Sequence, residues 1–150
     1  MSGTNENASP TDAQRADRMP LFLTLAGVNG AAAMIALSFA AHAAERSLLP
    51  DQIELIRRGA ELHLWHALAL LGIAALSAWR SGGRWLRSAA LAFQSGILLF
   101  CGSLYWLGAM GPDSLGPLRW VTPLGGLALI AGWLLLVAAG LSGRARRGSP

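Results

Sequence analysis

The sequence predicts an all-α integral membrane protein, a bundle of four spanning helices, on three observations. Apolar residues make up 53% of the 150-residue chain and charged residues only 13%, against about a quarter charged in soluble domains. Four apolar runs each approach or exceed the roughly 20 residues that cross about 30 Å of hydrocarbon at 1.5 Å per residue. The connections between those runs are charged or rich in Pro and Gly. Helices follow rather than strands because backbone crossing lipid must satisfy its own hydrogen bonds, and open strands cannot. The mean hydropathy of +0.44 agrees.

Residues 1–19 are polar, without an apolar period, and mix Glu6, Asp12 and Asp17 with Arg15 and Arg18. They read as a disordered cytoplasmic tail. The membrane domain follows over residues 20–143, with spans expected at 20–44, 62–79, 88–110 and 120–141, and a basic cytoplasmic tail at 144–150. The first run ends in Ala41-His42-Ala43, a pattern like a signal-peptidase site. Signal cores are about 7 to 15 residues long, however, and this run is longer, so it belongs to the mature protein. Between the first two spans, residues 50–60 place Ile53, Ile56 and Ala60 at helical spacing with Asp51 and Glu54 early and Arg57 and Arg58 late. That pattern suits the helix dipole and predicts a short amphipathic helix at the outer surface, bending into the second span near Gly59.

No lysine occurs, so the formal charge of +4 comes from arginine. In a membrane chain such charge reads as topology before nucleic-acid binding. Eight arginines (15, 18, 80, 84, 87, 144, 146 and 147) fall on one side of the four spans and four (46, 57, 58 and 119) on the other, where most of the acids also lie. The positive-inside rule then puts both termini in the cytoplasm. Trp79 and Trp85 mark the inner interface and Trp65, Trp106 and Trp120 the outer one.

With one cysteine, Cys101, the chain has no intramolecular disulfide and no cysteine-built metal site. No Ser-His-Asp order, phosphate loop or HExxH is found. The polar suspects are His42, Glu61, His63 and His66, joined at the same expected level by Ser103 and Tyr105. Ionisable groups inside membranes are costly and tend to face the bundle interior, which makes this cluster the candidate site. A cluster of these groups across helices near the outer leaflet is expected. Such groups can simply hydrogen-bond neighbouring helices at about 0.6 kcal/mol each, relay protons, or hold a metal or haem if their ligands converge. Neither a cofactor nor a metal is expected. Asn29 and Gln94 are the only amides well inside the spans, and Ala26-x-x-x-Gly30, Ala92-x-x-x-Gly96 and Ala128-x-x-x-Gly132 predict close helix packing.

The stretches FAAHA, GAELHLWHALALL, GILLFCGSLYWLGAM and WVTPLGGLALIAGWLLL resemble those of the small bacterial inner-membrane proteins typified by YgdD, a family of unknown function (domain of unknown function 423) with eukaryotic relatives. The resemblance implies a four-span protein of the bacterial cytoplasmic membrane with no assigned activity. It carries over His42, Gly59, Glu61, His66, Ser103, Tyr105, Thr122, Pro123, Gly125 and Gly126 as family-pattern positions. The chain departs from that pattern at Ser38 and Ala40, where glycine is usual, at His63, where glutamine is usual, and at Cys101, where serine is usual. With His63 set apart in this way, the resemblance leaves His42, Glu61 and His66 as the trio expected to meet across the first two helices near the outer leaflet, with His63 contributing less. The expected role is a non-enzymatic packing, assembly or accessory factor in the lipid bilayer, acting with a further copy of itself or with a membrane-complex partner and without nucleic acid. The competing expectations are a small transporter or proton-coupled carrier using His42, Glu61 and His66, and a redox or haem-binding membrane subunit.

Overall fold

The computed structural model describes residues 18–42, 48–79 and 83–145. The expected tails, and the connections holding Glu45, Arg46 and Arg80, lie outside these residues apart from the first tail's last two positions and the second tail's first two. Among the described residues every regular element is helical: α1 (Arg18–His42), α2 (Pro50–Trp79), α3 (Arg84–Gly96), a π turn (Ile97–Cys101), α4 (Gly102–Met110), a 3-10 turn (Gly116–Trp120) and α5 (Val121–Ala145). The stretches Pro20–His42, Pro50–Ser77, Arg84–Met110 and Gly116–Ser142 are long and apolar enough to cross a membrane. The α3, π and α4 segments run on without a break and form the third span.

The surface helix expected at residues 50–60 is not a separate element. It is the start of α2, a single helix of 30 residues, about 45 Å long at 1.5 Å per residue, enough to cross hydrocarbon and headgroups together. The local chemistry explains why it starts where it does. Pro50 takes the first helical position, where its missing N–H costs nothing. Gln52 accepts a hydrogen bond from the Leu49 N–H at 3.1 Å, one half of a capping box. The helix runs unbroken through Gly59, and ion pairs bracket the glycine along it: Arg57 binds Glu54 and Glu61, and Arg58 binds Glu54, each at 2.7 Å. These pairs are exposed and screened by water, so each adds little, but they favour helix across the glycine.

Lipid is as apolar as leucine, so no hydrophobic force drives these helices together; close packing and hydrogen bonds must do it. The helices pair as α1 with α2 and as α3 with α5, and α2 also packs on α4. Towards the Arg84 end a core forms around Leu70, Ile73, Phe93 and Ile97, each 2% exposed or less. The α3–α5 contact depends on two small residues: Gly96 lies against Leu129, and Gly132 lies against the Phe93 ring. Both belong to the small-x-x-x-small patterns of the sequence. Outward, leucines, isoleucines and valines such as Val28, Ile35, Leu98, Leu127 and Val137 are exposed, as lipid contact requires.

Two of the expected outer tryptophans, Trp106 and Trp120, stand exposed near helix ends. Trp65 is exposed as well but lies at the midpoint of α2, because that helix begins twelve residues earlier than the expected span. At the opposite end the Arg84 guanidinium lies 5.1 Å from the Trp85 ring centre.

Gly132→Val is expected to cost about 1–3 kcal/mol through overpacking against Phe93, seen as a lower melting temperature in detergent. Gly140→Val, on the same helix with nothing within 4 Å, serves as the control and is expected to be silent.

Candidate functional site

The buried polar residues of the spans are Asn29, His63, His66 and Ser103. They form three groups of contacts, and the largest centres on His63. Its Nε2 lies 2.9 Å from Asn29 Oδ1 and its Nδ1 lies 3.0 Å from the Tyr105 hydroxyl. Asn29 Nδ2 in turn donates to Gln94 Oε1 at 2.9 Å and to the Leu25 carbonyl at 2.7 Å. One chain of side chains thus links α4, α2, α1 and α3. Asn29 sets its donor sense: with Nδ2 donating twice, Oδ1 must accept, so His63 carries its hydrogen on Nε2. The Nδ1 of the neutral ring then accepts from Tyr105.

The helix geometry that aims these groups is simple. On α2, Ile56, Ala60, His63, Ala67, Leu70 and Ala74 repeat at steps of three or four and are all buried. Asn29 sits on the buried stripe of α1 with Phe22, Ala26 and Ala33. Gly59, four residues before His63, leaves space against Leu104 and Tyr105, where an added Cβ would come within 3.1 Å of each. The chain also descends through the bundle. Tyr105 and Gln94 are eleven residues apart on one span, about 16 Å along its axis, so it runs from near the Pro50 end to mid-depth.

The other two groups bring in the fourth span. His66 donates from Nδ1 to the Leu62 carbonyl at 2.6 Å, and its Nε2 accepts a long 3.3 Å bond from Trp133 Nε1. Its ring forms a triangle with those of Phe93 and Trp133: their centres lie 5.5 and 6.1 Å from it and 5.2 Å from each other. The Thr122 hydroxyl donates to Ser103 Oγ at 2.8 Å, and Ser103 donates to the Phe100 carbonyl at 2.8 Å.

The expected meeting of His42, Glu61 and His66 does not occur. Glu61 turns to Arg57 on its own helix and its side chain is 45% exposed. His42 is the exposed last residue of α1, where an imidazole suits the helix dipole. His66 faces α3 and α5. The residue expected to matter least, His63, holds the site together, and Tyr105 joins it. Asn29, Gln94 and Trp133 complete the contacts. The two amides carried a usable signal, since no other amide lies well inside a span and an amide there needs a partner; Trp133 carried none. Of the remaining family-pattern positions, Pro123 lies in the first turn of α5, where it disrupts nothing, Gly125 abuts the π turn, and a Cβ added at Gly126 would meet the Phe100 ring only at ordinary contact distance.

Chemically the arrangement is a closed set of hydrogen bonds between neutral groups. Among the described residues no three His, Cys, Asp or Glu side chains converge as metal ligands would.

The class this defines is a small all-α, multi-pass membrane protein whose spans are joined by neutral polar side chains. The chain belongs to the DUF423 family: the model described as "Protein of unknown function (DUF423)" matches residues 36–126. It is 34% identical over 121 residues to the UPF0382 membrane protein YwdK of Bacillus subtilis, covering 81% of this chain and 96% of that one. To the UPF0382 inner membrane protein YgdD of Escherichia coli K12 it is 30% identical over 122 residues, covering 79% and 88%. A UPF0382 membrane protein of Haemophilus influenzae is 34% identical over 115 residues, covering 77% and 89%. No solved structure matches the chain.

His63→Ala is expected to destabilise the protein by about 1–2 kcal/mol, from two lost interhelical bonds and the partners they strand. His66→Ala should cost less, and Glu61→Ala should lie within about 0.5 kcal/mol of wild type. Thermal melts in detergent check this. His63→Ala and Tyr105→Phe should be non-additive, whereas His66→Ala and Glu61→Ala should add.

Proposed function

We propose that the protein is a non-enzymatic assembly or accessory factor of the bacterial cytoplasmic membrane, with both termini in the cytoplasm, acting through its lipid-facing helices on a membrane partner or a second copy. One observation carries this reading: the two buried histidines of the bundle interior are fully engaged with groups of the protein itself. His63 has both ring nitrogens bonded to protein side chains, and His66 has both bonded within the bundle. Neither ring offers a free nitrogen for a haem or metal without losing a bond. The carrier reading relied on His42, Glu61 and His66 acting together, and they stand apart. A relay through His63 ends at Asn29 and Gln94, because a primary amide neither takes up nor releases a proton near neutral pH. The arginine count supports the orientation, and the family relative named as an inner membrane protein supports the location.

Reconstitution into liposomes with an internal pH dye tests the reading. The purified chain is expected to leave proton flux at the level of empty liposomes across an imposed gradient. Flux that appears with the protein and disappears in His63→Gln would overturn it. Reporter fusions at both termini are expected to show cytoplasmic activity only, and an externally active fusion would overturn the orientation.

A further inference from the structure

The third span contains one irregular turn, and four separate features meet there. Residues Ile97–Cys101 form a π turn, in which the Gly102 N–H reaches back five residues to the Ile97 carbonyl. A π turn holds one residue more than the α turn it replaces. Against its backbone lies Gly125 of α5, where any Cβ would collide with Phe100 N and the Leu99 carbonyl carbon. Beside it Thr122, also from α5, donates to Ser103, and Ser103 donates to the Phe100 carbonyl within the turn. One helical turn beyond lies Tyr105, which completes the bonds of His63.

We propose that this is a conformational coupling device: docking of α5 holds the third span in its π form, and the π form is what aims Tyr105 at His63. The geometry supplies the reason. Relaxing the turn to α would rotate everything beyond it by about 100°, the step of one residue in an α-helix. The sense of the rotation carries Tyr105 towards the bearing now held by the exposed Trp106 and puts Leu104 opposite His63. The His63 ring would then lose its hydroxyl donor, and α4 would present Leu107 where Gly108 now fits against Gln52 and Ile56 of α2. The start of the fourth span therefore controls, through backbone contact at Gly125 and hydroxyl contact at Thr122, a hydrogen bond made by two other helices. This extends the proposed function without depending on it, since the coupling concerns how the spans set one another's rotation.

The test is a pair of double-mutant cycles read as melting temperatures of the full chain in detergent. Tyr105→Phe is expected to lower the melting temperature of the wild type. In a Thr122→Val or Gly125→Ala background its further effect is expected to fall below half the wild-type shift, because Tyr105 no longer faces His63. Full additivity in the Thr122→Val cycle overturns the proposal, and that cycle decides alone should Gly125→Ala fail to fold. Deleting Leu98, which is 65% exposed, removes the extra residue from the turn while keeping the bearing of everything beyond it. That variant is expected to retain the full Tyr105→Phe shift, and loss of the shift would overturn the account equally.

Discussion

The imidazole of His63 is the constraint on which the rest of the bundle depends. Four helices in lipid have little reason to choose one mutual rotation over another, since leucine against leucine and leucine against acyl chain are nearly equivalent. A buried ring that must satisfy two nitrogens removes that freedom. By binding Asn29 on α1 and Tyr105 on α4 it fixes the rotation of three helices about one point, and Asn29 extends the restriction to Gln94 on α3. The individual bonds are weak, but the alternative is a polar group stranded in hydrocarbon, which costs more than the bond contributes. Specificity here comes from what misalignment would leave unpaired.

Packing and hydrogen bonding divide the work along the bundle. Towards the Arg84 end, Phe93, Leu70 and Ile73 fill a core closed by α5 through Gly132 and Gly96. Towards the Pro50 end, polar contacts and the close fits at Gly59 and Gly125 take over. His66 lies between these regimes, its ring meeting those of Phe93 and Trp133 at steep angles while its nitrogens are bonded. The charges of α2 stay on its exposed side, where Glu54, Arg57, Arg58 and Glu61 bind one another. Glu61 was therefore never available to the interior.

Much of the fold is legible in the sequence because membrane insertion imposes coarse rules. Apolar length and the charged connections give four helices, and Gly96 and Gly132 announce the α3–α5 contact. The site is harder to read, for identifiable reasons. Glu61 and His63 lie two residues apart, so they point to nearly opposite sides of the helix, and the buried stripe that claims His63 begins at Ile56 and Ala60, before the expected span. The expected trio assumed that polar groups at one end of each span share a depth. Helix length breaks this assumption, because the long α2 brings His63 down to the level of Asn29. The π turn leaves no residue signature: Ile97–Cys101 is an ordinary apolar stretch, and only the backbone shows that it carries one residue more than an α turn. Asn29 and Gln94 were visible as the two amides of the spans, but sequence alone does not pair positions 65 residues apart.

The central claim is that His63 is a neutral ring held on both sides within the membrane. Nitrogen-15 solid-state NMR of histidine-labelled protein in bilayers reads this directly, with His42→Gln and His66→Gln variants assigning the signals. The account predicts one neutral, Nε2-protonated ring whose shifts stay fixed across neutral pH and whose Nδ1 correlates with the Tyr105 hydroxyl. A His63 signal that titrates like a free imidazole, or that shows its hydrogen on Nδ1, would contradict it.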